Sequence, residues 1–179
     1  MPILTGPEIV RERDLGRLRI DPFNPAQVNP NSYNLTLGPT LAFYTSPVLD
    51  TRAANAYEQV EIPPNGIVLQ PDRIYLGASV EVVGSDFHVP MMGSRSGSAR
   101  LGAYSHVTAG LIDQGSLGQL THQLRVVQPL RVYAGDSLAQ VMFFSTVGQA
   151  QLYDGKYQGS RGPMPSQIHC DFPGAGAAA

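Results

Sequence analysis

The chain predicts a mainly β protein of the sandwich or jelly-roll kind, opened by one short helix. Three observations carry that expectation. Its 19 glycines and 15 prolines interrupt 179 residues every few positions, which favours short strands over long helices. The runs between them either alternate polar and apolar residues or are briefly all apolar. Ten or more such runs, with turn signals between them, fit a two-layer β architecture.

The elements follow in order. Thr5-Gly6-Pro7-Glu8 reads as a helix start: Thr5 at the cap, proline in the first turn, and Glu8 placed for a capping box. Ile9 and Val10 supply apolar contacts, and Gly16 ends what is predicted to be the longest helix. A proline-rich loop runs from Ile20 to Pro30. Ser32 to Gly38 alternates as a half-buried strand does, and Leu41 to Tyr44 continues it. Residues 47–57 are polar and irregular. Val60–Ile62, Ile67–Leu69 and Ile74–Val80 read as strands separated by Pro63-Pro64-Asn65-Gly66 and Gln70-Pro71-Asp72 turns. Val82 to Pro90 leads into a loop rich in arginine and small residues. Beyond it, Gln119–Val127, Leu130–Tyr133 and Leu138–Ser145 are strand-like, with Ala134-Gly135-Asp136 as a turn at a strand entry.

Length and composition set limits. A single domain is expected over residues 1–172, with 173–179 a disordered tail of small residues. A net charge of −2 with 15% charged residues leaves no electrostatic footprint for nucleic acid or a membrane surface. The single cysteine, Cys170, excludes an intrachain disulfide and suggests a reducing compartment. No apolar run approaches the ~18 residues of a transmembrane helix, and no basic start precedes an apolar stretch. A cytoplasmic protein is expected. Low charge together with 42% hydrophobic residues also fits surface hidden in an oligomer.

Two runs carry chemistry. Gly93-Ser94-Arg95-Ser96-Gly97-Ser98-Ala99-Arg100-Leu101-Gly102 combines small residues, hydroxyls and two guanidinium groups, as a loop wrapping a polyphosphate requires. The second, His106-Val107-Thr108-Ala109-Gly110-Leu111-Ile112-Asp113, places one carboxylate after an apolar pair, where it can orient water or a sugar hydroxyl. Further along stand Gly135-Asp136-Ser137-Leu138-Ala139-Gln140 and Lys156-Tyr157-Gln158-Gly159-Ser160-Arg161-Gly162-Pro163. Near the start stand Ile20-Asp21-Pro22-Phe23 and Asn31-Ser32-Tyr33-Asn34-Leu35-Thr36-Leu37-Gly38.

Taken in this order, these motifs resemble those of the dCTP deaminases, within the dUTPase-like β-clip superfamily, along most of residues 1–172. Arg100 and the Lys-Tyr-Gln-Gly form of the C-terminal segment resemble the deaminase branch rather than the plain dUTPases. The resemblance implies a distorted jelly roll that forms a homotrimer with active sites between subunits. It implies a C-terminal lid over about residues 153–167. It implies zinc-independent conversion of dCTP and water to dUTP and ammonia, with Mg2+ carried by the triphosphate. The residues themselves point away from zinc: one cysteine, no His-x-Glu, no Pro-Cys-x-x-Cys, and four histidines (His88, His106, His122, His169) without tight ligand spacing.

Carried over residue by residue, the resemblance makes Ser96, Arg100 and the Ala109 carbonyl partners of the attacking water, and Asp113 the partner of the deoxyribose 3′-hydroxyl. Arg95, Gly97, Ser98 and Ala99 complete the phosphate and base loop. Thr121, His122 and Gln123 join the nucleotide-binding set, and Tyr153, Lys156, Tyr157 and Gln158 arrive from the lid. The pattern breaks at Gln123. The family has there, ten residues past the motif aspartate, a glutamate that serves as base and proton shuttle. An amide cannot accept the water's proton, and loss of general acid–base help costs ~10²–10⁴ in rate. Three readings stay open: an isosteric inactivating replacement, a catalytically silent nucleotide-binding trimer, or hydrolysis of dUTP to dUMP and diphosphate with Asp113 activating water. Ser116 departs too. It stands where the family has an aromatic against the sugar, so exclusion of a 2′-hydroxyl is expected to weaken. Arg125 and Arg131 are expected to be surface charges.

Overall fold

The computed structural model describes residues 2–172; the expected tail at 173–179 lies outside the described residues. Helix α1, Gly6–Asp14, is followed by β1 (Arg19–Asp21), a 3-10 turn (Pro25–Gln27), β2 (Tyr33–Leu35), β3 (Thr40–Tyr44), β4 (Tyr57–Glu61), β5 (Ile67–Leu69), β6 (Tyr75–Gly84) and β7 (His88–Ser94). Helix α2 (Ser96–Arg100), β8 (Ala103–Tyr104), β9 (Leu117–Val126), β10 (Leu130–Val132), β11 (Ala139–Ser145) and a 3-10 turn (Ile168–Asp171) complete the described chain. The mainly β expectation holds, and α1 is the longest helix among the described residues.

The start of α1 differs from expectation. Thr5 stands at the cap position with extended backbone, but its hydroxyl makes no capping bond. Glu8 turns instead to the Arg11 guanidinium one turn later, at 2.6 and 2.9 Å. That local ion pair removes Glu8 from a capping box.

Three sheets form. The largest runs β4-β3-β6-β9-β8, with β1 also paired to β6. A second joins β2, β11 and β7, and a third joins β5 to β10. Strands β6 and β9 pair antiparallel, with Leu76 opposite Gln123, Gly77 opposite His122 and Ala78 opposite Thr121; the register shifts between Ala78 and Val82. One core gathers Ile9, Ile20, Tyr33, Leu35, Val141 and Phe143; another gathers Leu37, Leu41, Leu69, Leu124 and Val132. Each such fully covered side chain contributes about 1.5–3 kcal/mol relative to exposure.

Two sequence readings are corrected by burial. Strand β2 is covered on both faces, not half-buried: Tyr33, Asn34 and Leu35 are all buried. Its polar members are held in a network. Gln27 Nε2 donates to the Asn34 carbonyl, to Thr36 Oγ1 and to the buried carboxylate of Glu81. The Thr36 N–H and hydroxyl also donate to Glu81, and the Tyr33 hydroxyl donates to Gln27 Oε1. The stretch from Gln27 to Thr36, which takes in most of the Asn31–Gly38 motif, is thus a hydrogen-bonded network. The arginine-rich run, read as a loop, closes into one helical turn, α2.

Glu12 and His88, on α1 and β7, form a second buried polar cluster. Glu12 accepts from Arg17 and pairs with His88 Nε2 at 2.9 Å. The Arg17 hydrogen bond, outweighing burial and helped by His88, holds the Glu12 pKa down at about 2. No helix among the described residues is long and apolar enough to cross a membrane.

Candidate active site

Strand β9 is the site's foundation. Its burial alternates strictly, with Gly118, Leu120, His122, Leu124 and Val126 covered and the residues between them partly open. Gln119, Thr121 and Gln123 therefore share one face, and that face lines a cavity of about 510 Å³. Leu76, the register partner of Gln123, and Ile74 form the adjoining wall. His106, Ala109, Leu111, Ile112, Asp113 and Ser116 line the side given by the 105–116 segment. Tyr44, Tyr153, Tyr157, Ser160, Met164, Pro165 and Ser166 close the remainder. A pocket with mostly apolar walls and a few polar groups is the usual form of a small-molecule site.

The C-terminal segment is fastened over this cavity by its own chain. Gly159 N–H donates to the Leu117 carbonyl and Gln119 N–H to the Ser160 carbonyl. Gln158 bridges the hairpin after Asp113: its Oε1 accepts from Leu117 N–H, and its Nε2 donates to the Gly115 carbonyl, both at 2.8 Å. The Gln119 side chain donates to the Val80 carbonyl and accepts from Gly162 N–H. This approach requires Gly118 to be glycine. A Cβ there would stand 2.8 Å from the Ser160 nitrogen and 3.0 Å from its carbonyl oxygen. Tyr44 and Tyr157 hydroxyls accept from Ser166 and Gln167 N–H groups and fix the far end.

Of the residues singled out from sequence, the fold brings Ala109, Asp113, Thr121, Gln123, Tyr153 and Tyr157 to one cavity. Gln123 and Thr121 side chains engage no other group among the described residues, and neither does the Asp113 carboxylate, which is exposed at the cavity wall. A second, polar recess beside it is shared by Asp113, Gln114 and Asp154.

Other members lie elsewhere. His122, expected to bind nucleotide, projects into the core on the opposite face of β9 from Gln123. It is fully buried, and neither ring nitrogen has a partner among the described residues. Burial, aided by nearby His106, pushes its pKa down to about 3, so the ring is neutral. Arg95, Ser96, Gly97, Ser98, Ala99 and Arg100 do not line this cavity. Arg95 Nη1 donates to the Ser137 carbonyl, and exposed Arg100 reaches only the Ser96 carbonyl at 3.4 Å. Ser98 is buried, and its hydroxyl is engaged by the Arg95 and Leu138 carbonyls, which makes it a brace of the turn rather than an open phosphate donor. Lys156 pairs with Asp171, and that hydrogen bond raises its pKa. Gln158 acts as the clamp described above.

The run from Gly135 to Gln140 anchors the arginine turn. The Leu138 carbonyl accepts from Arg95 N–H and from the Ser98 and Ser105 hydroxyls. Gln140 donates to the Ser94 carbonyl and accepts from Ser32. Asp136 is a turn residue, as its position suggested, accepting from Tyr133 N–H. Arg125 and Arg131 are exposed.

Comparison with known proteins now decides the family. A family model described as dCTP deaminase-like matches residues 3–146. The chain belongs to that family. A protein of Clostridium acetobutylicum named dCTP deaminase, dUMP-forming, is 41% identical over 172 residues, which cover 95% of this chain and 98% of that protein. Proteins with the same name from Clostridium botulinum and Leptospira biflexa are 40% and 39% identical, each over 95% of this chain and 98% of their own length. The solved 2′-deoxycytidine 5′-triphosphate deaminase from Agrobacterium tumefaciens matches with a TM-score of 0.61 at 18% identity. That match covers 79% of this chain and 47% of the larger chain, and it speaks for the fold. The relatives' name gives dUMP as product, where the motifs alone suggested dUTP.

Gln119, Tyr44 and Ser160 belong to the cavity but were not singled out. Gln119 had a signal: it shares parity with Thr121 and Gln123 on one strand. Ser160 had one as well, standing in the Lys156–Pro163 motif, whereas Tyr44 had none, because segments far apart in sequence bring it in.

Proposed function

We propose that this protein is a hydrolase of dCTP-type deoxynucleotides that binds the pyrimidine on the Thr121–Gln123 floor and the sugar beside Asp113. Conversion of dCTP to dUMP needs two waters: one replaces the C4 amino group and releases ammonia, the other cleaves at the α-phosphate and releases diphosphate. The two steps ask for different groups. Deamination needs a proton acceptor on the floor, and Gln123 supplies none, so this step is slow. Phosphate attack needs a base at the wall, and the exposed Asp113 carboxylate, free of protein partners among the described residues, is available for it. That pairing of an amide floor and an unengaged carboxylate in one cavity carries the reading.

The residues fit a magnesium ion that travels with the substrate. Asp113 is a hard oxygen donor beside the cavity, and among the described residues no group of three or more acidic, His or Cys side chains forms a cage. Phosphate oxygens would hold the ion, which would neutralise their charge. Arg95, Ser96 and Arg100, which do not line their own chain's cavity, would serve a neighbouring copy in a homotrimer. Exposed Leu101, Tyr104, Val107 and Val127 around that turn give the apolar surface such a contact needs.

The test separates products. The protein is incubated with dCTP and with dUTP in the presence of magnesium, and ammonia and diphosphate are measured independently. Diphosphate release that falls about 10²–10⁴-fold in Asp113→Asn is expected. Tight binding without either product would make the chain a silent nucleotide-binding protein, and abundant ammonia would return it to plain deamination.

A further inference from the structure

Five glutamine side chains around this site and its supports show how differently one amide can be held. Gln119, Gln158, Gln140 and Gln27 are each engaged at both ends, oxygen accepting and nitrogen donating. Those contacts fix which end is which. Gln123 is engaged at neither end among the described residues and opens into the cavity. The hydroxyl of Thr121, two residues away on the same face, is likewise unengaged and can donate or accept.

We infer that Gln123 makes the site indifferent to the substituent at pyrimidine C4, so that 4-amino and 4-oxo bases bind alike. This rests on the nucleotide reading above. The edge of cytosine offers a donor at N4 and an acceptor at N3; that of uracil offers an acceptor at O4 and a donor at N3. A carboxamide matches the first with its oxygen toward N4 and its nitrogen toward N3. Turned end for end, it matches the second. No contact among the described residues holds the amide, so none opposes the turn. An ionised carboxylate in that place accepts only: it meets a lone pair at cytosine N3 or at uracil O4. Since the amide does not titrate, the indifference is also independent of pH.

Calorimetric binding of the α,β-imido analogues of dCTP and dUTP, with magnesium, tests this on the full chain. The two dissociation constants should agree within about threefold at about pH 6 and at about pH 8. In Gln123→Glu the ratio should move by about tenfold or more and vary with pH. In Gln123→Leu both analogues should weaken together. A preference of more than about tenfold for one base in the unaltered protein, with both analogues binding, overturns the inference alone. Failure of both analogues to bind overturns the nucleotide reading and takes the inference with it.

Discussion

The two faces of β9 are built from neighbouring residues and meet opposite fates. On one face Leu120, His122 and Leu124 are buried, with Leu120 alone of the three also reaching the cavity; on the other Gln119, Thr121 and Gln123 line the cavity. His122 and Gln123 are adjacent and both polar, and both side chains lack hydrogen-bond partners among the described residues. The buried one is held neutral by its surroundings and can only affect stability. The open one can meet a ligand. Strand parity, more than residue chemistry, separates structure from function here.

Substitutions on the two faces should therefore part company. The largest effect belongs to the cavity face: Gln123→Glu should raise ammonia release from dCTP about 10²–10⁴-fold while leaving the melting temperature nearly unchanged. An equal rate in both forms would deny that the floor limits deamination. The next is on the core face. Leu124→Ala should cost about 2–5 kcal/mol in denaturant unfolding with the ratio of products unaltered.

The acid limb of stability sharpens the contrast. The folded pKa of His122 lies below its unfolded value, so its contribution is complete above about pH 6.5 and declines as pH falls toward 3. His122→Leu should flatten that decline by about 1.4 kcal/mol per pH unit within the window. Glu12 acts lower down. Its depressed pKa stabilises at every pH above the ordinary carboxylate value, and that contribution is lost as pH falls toward about 2, so Glu12→Gln should lower stability at neutral pH and flatten the curve only in its more acid part.

Smaller effects lie where β9 meets the C-terminal segment and the proposed sugar position. Gly118→Ala should loosen the C-terminal segment by about 1–3 kcal/mol, read as faster proteolysis within residues 153–167 and a raised KM. Ser116→Phe should increase discrimination of dCTP over CTP by about tenfold.

The sequence pattern made much of this legible, for reasons that are local. Alternating or briefly all-apolar runs between turn signals located β3, β5, β6, β9 and β11, and Gly135 marked its turn, where φ is 91°. The alternation that put Gln123 in a strand also implied that His122 must face away, a consequence the motif resemblance obscured. Other features were invisible because their causes are distant. The arginine run closes into α2 although Gly97 and three serines nearby favour a loop, since the turn is held by Leu138, some forty residues on. Lys156 looked free for phosphate until the fold brought Asp171 beside it. Nothing in the sequence singles out Glu81, which Gln27 and Thr36, from far up the chain, enclose.

The Leu138 carbonyl receives three donors from the segment bearing Arg95. Because the acceptor is main chain, alanine scanning would pass over it in silence: any residue at 138 presents the same oxygen. The guanidinium's placement is in this sense encoded in the polymer rather than in a side chain. It would drift only if the peptide link itself were altered, as by replacing the amide with an ester.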